Sequence, residues 1–245
     1  MRLPIEIKAL HNQSKKSYGS RRISKALKAQ GYNVGRYKAR SLMKEMGLEC
    51  KQRRRFTVTT QSNHSLPIAE NKLNRAFKVD QPNRVWVADI TYLRTHEGWL
   101  YLAVVLDLFS RRVVGWALAE TMQERLIKKA LSMAITERCP GAGLMHHSDR
   151  GSQYASLSYQ NLLSEHQITV SMSRKGNCWD NAVMERFFGS LKAERTENKI
   201  YLSHQHAITD VVDYIENFYN PKRLHSTLNY LSPIQFEKIN CPLFN

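Results

Sequence analysis

Three apolar, β-branched runs, "RVWVADITYLR", "WLYLAVVLDLF" and "RRVVGWALAE", follow one another after Pro82 with only short polar breaks such as "THEG" and "SR" between them. Links that short cannot carry a crossover, so consecutive strands must run antiparallel, as hairpins or a meander. The pattern then changes. "TMQERLIKKALSMAITER" has helical period, "GLMHHS" reads as a short strand, "LSYQNLLSEHQI" as a helix and "TVSMS" as a strand, and "CWDNAVMERFFGSLKAE" starts a further helix. Strands separated by helices are reached by crossovers. The order therefore predicts an α/β fold: a mixed five-stranded sheet flanked by helices.

Ahead of this block, residues 1 to 50 read as three short helices. The second starts near Ser20, a candidate N-cap, carries Ile23 and Leu27 at i,i+4 spacing and stops at Gly31. The third runs from near Gly35 to Gly47, with Leu42, Met43 and Met46 inward and Arg36, Lys38, Arg40 and Lys44 outward. Two helices joined by a Gly-bearing turn, the second strongly basic, are the outline of a helix-turn-helix. Charge placement supports that reading. Of a net charge of +16, the first 80 residues hold 19 Lys/Arg against 5 Asp/Glu. A basic module joined to a near-neutral one suggests a polyanionic partner, with nucleic acid foremost and Arg21 and Arg22 on the second helix as further contacts. Residues 51 to 80 read as a basic linker, whose Arg53, Arg54 and Arg55 either track a phosphate backbone or are simply solvated. Residues 81 to 245 form the expected main domain, with a C-terminal helical extension.

A membrane surface is the rival polyanion, but "YLAVVLDLF" is too short to span and is interrupted by Asp107, and no signal pattern opens the chain. Cys50, Cys139, Cys178 and Cys241 form no CxxC pair, so free thiols of a cytoplasmic, nucleoid-associated protein are expected rather than disulfides or zinc.

Three acids stand out by their settings. Asp89 lies inside a strand among apolar and β-branched residues, where an unpaired charge is costly. Asp149 follows "GLMHHS" and so sits at a strand's carboxyl end, where α/β sites form. Glu185 falls at the margin of the Met184, Phe187, Phe188 and Leu191 face. At about 100° per residue Gly189 and Lys192 share its stripe. Lys192 can meet a phosphate there, and Gly189 leaves room for a nucleic-acid backbone. Clustered carboxylates repel unless cations neutralise them, and oxygen ligation suits Mg²⁺ or Mn²⁺, with two ions able to serve phosphodiester attack. Asp180, at the start of the same helix, reads as an N-cap. Asp107 is the competitor for Asp89, or else caps a turn or pairs with Arg111 or Arg112. His146 and His147 read as one ring under the sheet and one facing the cleft. In "YNPKRLHSTLNYLSP", Tyr219, Arg223, His225 and Tyr230 either contact DNA or, for the two tyrosines, close the core.

With these residues placed, the sequence resembles the DDE-type transposases of the insertion sequence 3 group, in their downstream-frame product. The similarity lies in "YGSRRISKALKAQGY…MKEMGL", "VWVADITYL", "HSDRGSQYAS", "SRKGNCWDNAVMERFFGSLKAE" and "YIENFYNPKRLHSTLNYLSPIQF". Thirty-five residues separate Asp149 from Glu185, and Lys192 follows seven after it, as in that family's acidic triad and basic position. The resemblance implies a ribonuclease-H-like, integrase-like catalytic domain whose Asp89, Asp149 and Glu185 bind Mg²⁺ or Mn²⁺ for strand cleavage and transfer at the element's ends. It also implies DNA ends and target as partners, a homo-oligomer on DNA, and an upstream-frame product as fusion or partner. Because the chain starts at Met1 without a heptad run, it is expected to be the catalytic half. "NVGRYKAR" departs from the small polar residue that usually opens the third helix in that family. A DNA-binding regulator or inactive remnant, and a nuclease acting on RNA·DNA hybrids, are the competing readings.

Overall fold

The three consecutive apolar runs form β1 (Val85–Thr95), β2 (Gly98–Asp107) and β3 (Val113–Ala119) in the computed structural model, which describes residues 2–51, 66–196 and 199–241. The β1–β2 hairpin closes through two residues, with Thr95 opposite Gly98. The Thr95 hydroxyl donates to the Gly98 carbonyl at 2.8 Å, and Gly98 holds a φ of +115° that a side chain would resist. α4 (Glu124–Arg138) and α5 (Leu157–Glu165) then carry the chain to β4 (Met145–Ser148) and β5 (Thr169–Met172), both parallel to β1. The resulting order, β3-β2-β1-β4-β5, is the expected mixed five-stranded sheet.

Strand alternation divides the core between the two faces. Trp86, Ala88, Ala103 and Val105 pack under α4 and α5. Val87, Leu93, Leu102 and Val104 point the other way, against Met184, Phe187, Phe188 and Leu191 of α6 (Ala182–Leu191). At Gly115 of β3 the first layer is too close for any side chain. An added Cβ would lie 2.1 Å from the Ala130 carbonyl oxygen and 2.8 Å from the Ala134 Cβ of α4. Gly115→Ala should therefore push helix from sheet and cost about 3 kcal/mol, at the upper end of overpacking effects, read as a lowered urea midpoint. An unchanged midpoint would mean that α4 can withdraw freely.

The basic N-terminal segment forms α1 (Arg2–Gln13), α2 (Ser20–Ala29) and α3 (Arg36–Glu45) as expected. Ser20 is not the N-cap of α2: Gly19 holds that position and no side chain caps the helix. Ile7, Ile23, Leu27, Ala39 and Met43 belong to the same hydrophobic cluster as the α6 side chains and as Tyr214, Phe218 and Tyr219 beyond α7 (His204–Val212). The helices are pinned there by polar contacts as well. The Tyr18 hydroxyl accepts from the Leu224 backbone N–H at 2.7 Å, and Arg22 Nε donates to the Leu224 carbonyl at 3.0 Å. The chain ends in α8 (Pro233–Asn240), whose Ser232 and Gln235 complete a capping box. Among the described residues no helix is long and apolar enough to cross a membrane.

A carboxylate site where two parallel strands diverge

The β1–β4 register pairs Val85 with Met145, Trp86 with His146 and Val87 with His147. Carried two residues further, it sets Asp89 beside Asp149, one residue past the end of β4. Asp89 shares the face of Val87 and Leu93, which is the face α6 covers. α6 is tied to β1 at its start, where Asn181 Nδ2 donates to the Ala88 carbonyl at 3.1 Å. Glu185 follows one helical turn later, exposed, in the first turn of α6.

Each aspartate is oriented by the backbone. The Ile90 N–H donates to Asp89 Oδ1 at 2.8 Å, and the Gly151 N–H donates to Asp149 Oδ1 at 2.8 Å. A Cβ on Gly151 would come within 3.0 Å of that same oxygen, so the glycine gives Asp149 its room. Asp89 and Asp149 are half-buried, each with some surface left open. Burial first, then the neighbouring charges of Asp149 and Glu185, raise the Asp89 pKa well above the usual carboxylate range, while the Ile90 N–H and Lys192 oppose the rise. Partial burial also raises that of Glu185. The three acids and Lys192 thus share one electrostatic neighbourhood. They do not form a closed ligand cluster: among the described residues no three His, Cys, Asp or Glu side chains stand as a preformed metal site. In donor chemistry the set suits a hard divalent cation, being all oxygen and carrying repulsion that a cation would relieve.

Lys192 is half-buried, with its ammonium 4.9 Å from the centre of the Tyr92 ring. The α-helical projection does not reach it, because α6 ends at Leu191 and a π turn covers Lys192–Thr196. Gly189 is buried within the protein rather than open to an incoming backbone. The exposed residues Arg21, Arg36, Lys38, Arg40 and Lys44 line α2 and α3 as expected, while Arg53, Arg54 and Arg55 lie outside the described residues.

Several expectations need correction. Asp180 does not cap α6, whose N-cap is Asn181. It is fully buried and accepts from Arg174 Nε and Nη2 at 2.9 and 2.8 Å, from Arg75 Nε at 2.9 Å and from Asn71 Nδ2 at 2.9 Å. Those bonds, led by Arg174, hold its pKa far below normal. Asp107 caps its turn, as one alternative had it. Among the described residues no ion pair joins its carboxylate to Arg111 or Arg112, though the Arg111 N–H donates to its backbone carbonyl at 2.8 Å and its own N–H donates to the Arg112 carbonyl at 2.9 Å. It lies opposite Trp86, three residues back from Asp89, accepts the Asn83 and Phe109 N–H groups at 2.8 Å each, and is 3.6 Å from Arg138. Burial raises its pKa to about 6. His147 faces no cleft. Both histidines are fully buried, His146 against the Tyr159 hydroxyl at 3.0 Å and His147 between Ser171 and Ser173. Burial lowers their pKa values to about 3 and about 4, which keeps both neutral.

Arg223 is not a surface cation for DNA, and Arg22 is turned partly inward, its side chain a quarter exposed. Arg223 is 3% exposed and grips Glu194 with two bonds, Nε at 2.7 Å and Nη2 at 2.6 Å. The Tyr214 hydroxyl donates to the same carboxylate at 2.9 Å, and Arg22 Nη1 stands 3.7 Å away. His225 is half-buried and bonded to Thr227 at 2.8 Å, and burial with the nearby arginines lowers its pKa to about 3, so it offers phosphate no charge. Tyr219 is buried against Phe187, which favours the core alternative for it, and Tyr230 lies under the Lys25 ammonium at 5.1 Å. Sequence reasoning missed Glu194 and Asn181. A charge just past a helix end ordinarily faces water, and only the approach of residues 22, 214 and 223 shows otherwise.

Comparison with known proteins adds a second line of observation. Residues 79–178 and 166–233 match two families described as "Integrase core domain", and residues 2–56 match an "HTH-like domain". The uncharacterized 31 kDa protein of insertion element IS600 from Shigella sonnei is 47% identical over 97% of this chain and 87% of its own length. The transposase InsF for insertion sequence IS3A from Escherichia coli K12 is 43% identical over 95% of this chain and 81% of its own. Among solved structures, a chain of the simian T-cell lymphotropic virus intasome in complex with PP2A regulatory subunit B56 gamma superposes with a TM-score of 0.52. It covers 94% of this chain and 73% of that one, at 15% identity, and so shares the fold.

Proposed function

The chain belongs to the IS3 family of insertion-sequence transposases with an integrase core, and from that premise we propose that it is a polynucleotidyl transferase cutting and joining DNA at Asp89, Asp149 and Glu185. The observation that carries the reading is the register of β1 against β4. It sets two carboxylates side by side at the point where the strands part, on the face that presents Glu185. Proteins rarely hold acids so unless something cationic meets them.

In this reading the three carboxylates hold Mg²⁺ or Mn²⁺, which supplies Lewis-acid activation of a water or 3′-hydroxyl and stabilises the leaving oxygen. The chain's own contribution is alignment. The Ile90 and Gly151 N–H groups each fix one carboxylate oxygen, of Asp89 and Asp149 respectively. Glu185, exposed on α6, has the freedom to adjust. Lys192 brings a positive charge to the same neighbourhood, suited to a substrate phosphate. Residues 1 to 50 act as the DNA-end-binding part, with Arg21, Arg36, Lys38, Arg40 and Lys44 tracking phosphates, and residues 51 to 80 connect it to the catalytic domain from 81 onward. Binding to element ends and target, in more than one copy and with an upstream-frame product, completes the proposal.

Glu185→Gln tests it. Nicking and joining of DNA bearing the element's ends should fall by about a hundredfold or more, while thermal unfolding stays near that of the parent because the side chain is exposed. Activity that persists in the variant would sink the assignment.

A further inference from the structure

α3 packs by one face only. Ala39 and Met43 are buried in the hydrophobic cluster, with Leu42 and Met46 packed against it. The turn into the helix is firm. The Ser24 hydroxyl donates to the Val34 carbonyl at 2.7 Å, and the Tyr32 N–H donates to the Leu27 carbonyl at 2.9 Å past Gly31, whose φ is +87°. The opposite face is therefore held out in a fixed orientation. At about 100° per residue, Tyr37, Ser41 and Lys44 point about 140° to 160° away from Ala39, and Lys38 and Arg40 lie about 100° to either side of it. All five are exposed, and so is Arg36 at the first position. Tyr37, at 80%, is the most exposed large hydrophobic side chain among the described residues. The one acid of the helix, Glu45, is its last residue.

A lone exposed tyrosine needs no explanation. This one heads an outward row flanked by cations, and row and flanks suit different parts of one ligand. Arg36, Lys38 and Arg40 can neutralise phosphates, whereas Tyr37 and Ser41 have no charge to give. What a tyrosine and a serine offer instead is a hydroxyl for the donors and acceptors of a base edge, and a ring for a thymine methyl. The major groove of B-form DNA displays those groups and is wide enough to admit a helix, whose N-terminal residues then meet the bases. We infer that Tyr37 and Ser41 read base edges in the major groove of the DNA end, while the cations beside them hold the phosphates. The inference rests on the DNA-acting reading above and adds sequence specificity to it.

The test measures binding of the full chain, in chelator so that nothing is cut, to a duplex carrying the element's terminal repeat and to a scrambled duplex of the same length and composition, over a range of salt. The parent should prefer the repeat. Tyr37→Ala should reduce that preference by about fivefold or more, the low end for one base contact, with the scrambled duplex bound as before. Its thermal unfolding should stay that of the parent, since the side chain is exposed. Tyr37→Phe should keep part of the preference through the ring. Lys38→Ala should do the contrary, weakening both duplexes alike and lowering the slope of log affinity against log salt by about 1. Equal binding of repeat and scrambled duplex by the parent overturns base reading while leaving the DNA-acting reading standing. A Tyr37→Ala protein that keeps the full preference, or that loses affinity for both duplexes alike, overturns it as well. Loss of self-association in Tyr37→Ala, with the preference intact, overturns it in favour of a protein interface. Failure of the parent to bind either duplex overturns both.

Discussion

Replacing Arg223 with methionine should lower unfolding stability by about 3 kcal/mol or more, the cost of leaving a buried charge without its partner. Glu194 is only 6% exposed. Burial alone would raise its pKa; Arg223 and Arg22 overcome that and hold it below the ordinary value. Burial likewise opposes the charge on Arg223, and Glu194 outweighs it. Remove Arg223 and, among the described residues, the carboxylate keeps the Tyr214 hydroxyl at 2.9 Å and the distant Arg22. Arg22→Met should cost much less, since its side chain is a quarter exposed and its contact with Glu194 is long. The double variant Glu194→Met/Arg223→Met should recover much of the loss, because two well-packed apolar side chains leave no stranded charge. Urea unfolding of the four proteins reads all of this. A cost under about 1 kcal/mol for Arg223→Met would place the pair with surface bridges instead.

The same pair shows where sequence reasoning reaches its limit. The antiparallel triplet and the crossovers were legible because short links and hydrophobic period are local properties. So was the setting of Asp89 and Asp149, since a charge inside an apolar strand and an acid just past a strand end are conspicuous in one dimension. Arg223, His225 and Asp180 were misjudged for the opposite reason. Their partners, Glu194, the arginines around His225, and Arg75 with Arg174, come from distant or turn-separated segments that no spacing announces. A basic, aromatic-bearing stretch then reads as a nucleic-acid contact although half its charges face inward. Lys192 marks a subtler limit, because a helical projection holds only while the helix does, and here it gives way to a π turn at that residue.

Asp89→Asn should do two opposite things, and together they separate a catalytic carboxylate from a structural one. Strand cleavage should be lost. In chelator, however, the variant should be more stable than the parent, by about 1 kcal/mol, as expected where a site is held in a conformation that favours function over stability. The sign follows from the shifted titration. Burial and the charges of Asp149 and Glu185 raise the folded-state pKa above its unfolded value. At neutral pH the unfolded chain ionises the group freely, whereas the folded one must either bear the repulsion or take up a proton. Asparagine removes that cost and can still accept the Ile90 N–H. Added Mg²⁺ should reverse the order, stabilising the parent and leaving the variant unmoved. A structural aspartate such as Asp180, held by two arginines, predicts the contrary: Asp180→Asn should be destabilised with or without the cation. Thermal unfolding of parent and both variants, in chelator and in Mg²⁺, decides the matter. An Asp89→Asn protein destabilised in chelator would mean that the residue is a structural element of the strand, and the carboxylate site would lose its central member.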